Sequence, residues 1–174
     1  MNFSINNSIE VLERTPNVLH SLLHNISNQW SSNNEGGESW SPFDVLGHLI
    51  HCDECDWITR IKIALSENEI RRFEPIDRYA QIELNKGKNI NQLLDEFIKI
   101  RKACLTELKS FNLTEEQLTK TAIHPDLDTV NLSQLISTWV AHDLAHLSQI
   151  SRVMAKQYKD KVGPWKIYMK VLNQ

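Results

Sequence analysis

NLSQLISTWVAHDLAHLSQISRVM, residues 131–154, decides the fold. Its apolar positions are Leu132, Leu135, Ile136, Trp139, Val140, Ile150, Val153 and Met154, spaced as one buried helix face. Asn131, with Gln134 three residues on, forms a capping pair, so the helix is predicted to start there and run to about Tyr158. The stripe also holds groups foreign to an apolar interior. His146 and Asp143 fall inside it, and His142 lies toward one edge. Burying such side chains is costly unless they bind something or one another. Two imidazoles four residues apart share one helix face, which is how a helix offers two ligands to one metal ion.

Working outward, the rest of the chain is also helical in pattern. Ser41-Pro42-Phe43-Asp44 combines a serine cap, a proline at the first position and an acid at the third, starting a second helix predicted to reach about Ser66. Asn89 caps a third over about 90–109, with Leu93, Leu94, Phe97 and Leu105 on its apolar faces. Residues 4–30 form the first helical region, interrupted at Thr15-Pro16, where a threonine cap would restart the helix. A long connection punctuated by Pro75 and Gly87 separates the second and third helices. Thr114 caps a short turn before the His124-Pro125 break, and residues 126–130 read as a loop or a brief extended piece. No set of alternating strand runs is present. The prediction is all-α: a four-helix bundle with long crossovers, residues 1–174 forming one domain.

Composition narrows the function. A net charge of -3 lacks the basic stripe of a nucleic-acid surface, so no nucleic acid is expected as partner. No apolar run approaches the ~20 residues of a membrane span, and the N-terminal residues show no signal-peptide pattern, so a cytoplasmic protein is expected. Three cysteines do not make a disulfide framework. Phosphate loops, nucleophile elbows and HExxH are missing from the sequence.

In the second helix, His48, Cys52 and Cys55 share a face, flanked by His51 and Asp44. Across a bundle core His48 can meet His142 and His146. Three neutral imidazoles on a divalent metal leave a position open for chemistry. The bland alternative is a set of core histidines hydrogen-bonded to Asp143, Asp44 or the backbone. His20 and His24 repeat the HxxxH spacing and are read as a decoy. The Cys52–Cys55 pair lies about ten residues into its helix, away from the N-terminal dipole that activates such dithiols, and reads as structural.

Two segments carry a family resemblance. WSPFDVLGHLIH, residues 40–51, resembles the start of the second helix of the DinB-like superfamily, and residues 138–154 around WVAHDLAHLSQI resemble its last bundle helix. AIHP at 122–125 and VGPW at 162–165 are similar to one branch of it. The resemblance implies an up-down-down-up bundle, often dimeric, with zinc or nickel on three histidines, here His48, His142 and His146. It also implies a metal-dependent enzyme acting on a small-molecule substrate, a hydrolase or a thiol-S-transferase with a low-molecular-weight thiol cosubstrate. Many relatives carry an acid where this chain has His51, three residues after the first ligand. His51 and Asp143 are the expected catalytic assistants; Asp143 would orient an imidazole. The rival is a metal-free bundle with a structural or interaction role.

Overall fold

The computed structural model describes residues 2–173. Helices α1 (Ile5–Leu12) and α2 (Thr15–Leu23) form one bent rod, followed by the short α3 (Asn28–Ser32). Next come α4 (Pro42–Cys55) and α5 (Trp57–Leu65), the small α6 (Ala80–Leu84), and α7 (Ile90–Ser110). The turn α8 (Glu115–Leu118) and a hairpin of β1 (Thr121–His124) and β2 (Asp128–Asn131) lead into α9 (Leu132–Lys156). Two short 3-10 segments, Gly163–Tyr168 and Lys170–Leu172, follow. Capping boxes at Ser41/Asp44, Asn89/Gln92, Thr114/Gln117 and Asn131/Gln134 satisfy the otherwise orphaned N–H groups that begin α4, α7, α8 and α9.

Side-chain pairings give the helix directions. Asn25 bonds Asn91 while Glu13 pairs with Lys109, so the α1–α2 rod runs antiparallel to α7. Asp53 meets Arg101 and Lys62 meets Glu107, so α4–α5 runs parallel to α7. His48 lies against His146 and Trp57 against Trp139, which makes α4–α5 antiparallel to α9. The four rods therefore run up, down, down, up. Two successive parallel rods need a connection that returns along the bundle, and residues 66–89 make it. Arg71 and Phe73 exchange backbone bonds with Ile123 in the hairpin. α6 then packs on α4 at Gly47, where a Cβ would come within 2.5 Å of the Asn85 amide.

The core forms two apolar clusters. One centres on Trp57, Phe73, Leu108, Ile136 and Trp139; the other on Leu19, Leu46, Leu49, Leu94, Phe97 and Ile150. Each fully buried side chain of this size contributes roughly 1.5–3 kcal/mol.

Two local expectations need correction, and the brief extended piece at 126–130 gains a partner strand. The second helix does not run unbroken to Ser66: Asp56, with ψ near -70°, interrupts it, although its N–H still bonds the Cys52 carbonyl. Thr15 does not cap α2 but lies inside it after Arg14, with Pro16 in the first turn. Residues 121–131 pair as a hairpin because Asp128 takes a left-handed turn conformation, φ 57°, that closes it.

Candidate metal centre

α4 and α9 bring His48, His142 and His146 together, with one ligating atom of each within 4.8 Å of the others. His142 Nε2 lies 3.2 Å from His48 Nε2 and 3.1 Å from His146 Nε2. A ring nitrogen carries either one proton or one lone pair, so His142 Nε2 forms a good hydrogen bond with only one of its two neighbours. The other contact sets nitrogen against nitrogen. Gln149 Oε1, 2.8 Å away, accepts from His146 Nδ1. That assigns the proton to Nδ1 and leaves His146 Nε2 as a lone pair facing the cluster.

A cation would resolve the conflict. Two ligands about 2.0–2.1 Å from a tetrahedral ion are about 3.3–3.4 Å apart, close to both observed separations. The three residues thus form a cluster able to coordinate a divalent metal.

Electrostatics agree with the geometry. Burial, reinforced by the neighbouring His146, pushes His48 down to about 4, with His51 and Arg78 adding to the effect. His142 falls to about 3, again by burial first and then by His146 and His48. His146 is lowered mainly by burial, against Gln149 and Asp143, which favour its charged form. All three rings are neutral near pH 7 and offer lone pairs. The indole of Trp40 leans on His48 at 4.8 Å and faces His146 at 6.4 Å. Trp57 meets His142 edge-on at 5.2 Å. Tyr79, largely exposed, stands edge-on to Trp40.

The two expected assistants sit elsewhere. His51 is half-buried, and its ring lies 3.5 Å from the Cys55 sulfur rather than beside the three imidazoles. Both carboxylate oxygens of Asp143 accept from Arg101, so Asp143 orients no imidazole by hydrogen bond. The helical wheel anticipates this, since consecutive residues diverge by about 100°. Asp44 closes the capping box of α4. Cys52 is buried and Cys55 exposed, both free; burial, aided by Asp56, pushes both thiols up, against a redox dithiol. His20 and His24 stack on each other at 4.4 Å, outside the cluster.

Gln149, Arg101 and Asp53 escaped the sequence reading. Gln149 had a usable signal, an amide three residues after a candidate ligand on the same helix.

Comparison with known proteins agrees with this architecture. A family model described as the DinB superfamily matches residues 11–150. No curated protein matches the chain. Among solved structures, YfiT from Bacillus subtilis is similar with a TM-score of 0.73 and 21% identity, over 93% of this chain and 91% of that one. YfiT is described as a probable metal-dependent hydrolase with an unusual four-helix bundle topology. At this identity the likeness is one of fold.

Proposed function

The chain belongs to the DinB superfamily, and from that premise we propose that it is a divalent-metal-dependent enzyme acting on a small molecule, as a hydrolase or a thiol-S-transferase. The observation that carries this reading is the meeting of three neutral Nε2 atoms around His142, where hydrogen bonding satisfies only one of the two contacts. His48, His142 and His146 would hold the ion, and zinc or nickel suits an imidazole set. The ion supplies Lewis acidity, lowering the pKa of a water or of a low-molecular-weight thiol presented to it.

The chain's own groups prepare the site. Burial keeps the three rings deprotonated. Gln149 fixes the tautomer and rotation of His146, as a hydrogen-bonded acceptor does for a ligand imidazole. Trp40 covers one side of His48 and His146, and Trp57 backs His142; together they limit ring rotation and keep water from those faces. The hydrolase arm draws on what YfiT is described as, and the thiol arm on the superfamily. His51 and Asp143 have no part on the substrate in this reading. Homodimerisation belongs to the same proposal: Trp165, Ile167 and Tyr168 leave apolar surface exposed, and sedimentation of the purified chain tests it. Among the described residues no helix is long and apolar enough to cross a membrane.

Metal content of the full chain purified in non-chelating buffer tests the reading. One zinc, nickel or manganese per chain, lost in H142A/H146A, is the expected result, and a panel of thiol and ester substrates then separates the two reactions. A metal-free wild type that cannot be reconstituted contradicts it.

A further inference from the structure

On the same helices as the imidazoles lies a second polar cluster, centred on Arg101. Arg101 of α7 is 1% exposed, with its guanidinium against the rings of Phe97 at 4.8 Å and Trp139 at 5.2 Å. An arginine has five N–H donors, and every one here has an acceptor. Nε and Nη2 donate to the two oxygens of Asp53 at 2.6 and 3.0 Å. Nη1 and Nη2 donate to the two oxygens of Asp143. The last N–H of Nη1 reaches the Leu12 carbonyl at 3.2 Å. One planar fork therefore ties α1, α4 and α9 to α7.

The attachment points matter more than their number. Asp53 lies five residues beyond His48 on α4, and Asp143 directly follows His142 on α9. The helices that supply the three imidazoles are thus held by one rigid group, close to those imidazoles in both cases. A helix rises about 1.5 Å per residue. Sliding α9 past α4 by one residue would stretch several of these bonds past the ~3.2 Å of a good N–H···O contact. The same slide would part His48 from His142 and His146.

We propose that Arg101 is a positioning residue for the imidazole triad: by gripping Asp53 and Asp143 in one fork, it sets the register of α4 against α9 that brings His48 to His142 and His146. This rests on the metal-centre reading above. Lysine cannot replace the fork, because its three donors sit on a single flexible point.

The test uses the full chain, with zinc affinity measured by competition against a chromophoric chelator and ligand geometry by the d–d bands of bound cobalt. R101K is expected to weaken zinc about tenfold to a hundredfold, the range for losing a support behind metal ligands, and to alter the cobalt bands. D53N keeps Asp143 on Arg101 but loosens α4, so it shifts both readouts in the same direction by a smaller factor. L118A removes a buried side chain of α8 and serves as a control: it melts earlier but leaves affinity and spectrum unchanged. Wild-type affinity and cobalt bands in R101K and D53N, alongside earlier melting, would overturn the proposal and leave the network purely structural. Should R101K not fold, D53N decides alone on the same criterion. A wild type that takes neither zinc nor cobalt overturns the metal-centre reading, and the positioning role falls with it.

Discussion

Two polar clusters of this bundle are built on opposite principles. Around Arg101, five donors meet five acceptors and opposite charges lie in contact. Around His142, three neutral bases crowd together, and one of the two Nε2 contacts cannot be a good hydrogen bond. A saturated cluster needs nothing more from solution, whereas one made of crowded imidazole nitrogens is able to take a cation. The first explains how the helices are held. The second is able to coordinate a divalent metal.

The largest test of this contrast is Arg101→Met. It leaves the Asp53 and Asp143 carboxylates buried without their cation and is expected to cost about 3–5 kcal/mol in denaturant unfolding. Less than about 1 kcal/mol would mean that the network is not tight. The imidazole cluster responds in the other sense, by gaining from solution. Free zinc at a hundredfold excess over its dissociation constant is expected to stabilise the wild type by about 2.7 kcal/mol. H142A/H146A is expected to gain nothing.

Acid separates the two clusters next. The folded values of His48 and His142, about 4 and about 3, lie below the ordinary 6.5, so the unfolded chain takes up protons first as pH falls. Their contribution is fully present above about pH 6.5 and is lost as pH drops toward 4 and below. Asp53 acts in reverse. Burial, together with the Asp143 charge and against Arg101, raises it from 3.8 to about 6, so its contribution fades as pH rises through that range. Urea unfolding of the metal-free chain is expected to show falling stability between pH 6.5 and 4, partly offset by Asp53. A flat or rising profile would place the rings in a more solvated setting. The smallest effect is Gln149→Leu, which frees the Nδ1 side of His146 and is expected to weaken zinc about tenfold, or ~1.4 kcal/mol, with little change in the melting of the metal-free chain.

Much of this was legible because it is local. The four capping boxes each lie within four consecutive residues, and the apolar stripe of α9 follows from helix geometry alone. The same stripe marked His146 and Asp143 as inward, and the resemblance to the DinB-like superfamily supplied His48 as the third partner. Arg101 was not legible. In IKIRKACL it is one basic residue beside two lysines, and its burial depends on partners 48 and 42 positions away. Asp143 was seen to be buried but was assigned to the wrong neighbour, because an imidazole stood next in sequence while the guanidinium stood next in space. The strand pairing of the hairpin was missed because β1 also exchanges backbone bonds with the distant Arg71–Phe73 crossover, and nothing in the periodicity around Asp56 marks the break there.

X-ray absorption of the zinc-reconstituted chain tests the central claim most directly. Coordination by His48, His142 and His146 is expected to give three imidazole nitrogens at about 2.0–2.1 Å and one further light atom, with the imidazole pattern lost in H142A/H146A. A sulfur at about 2.3 Å, or a shell of oxygens without imidazole, would contradict it by placing the metal on Cys52 or Cys55 or nowhere in the bundle core.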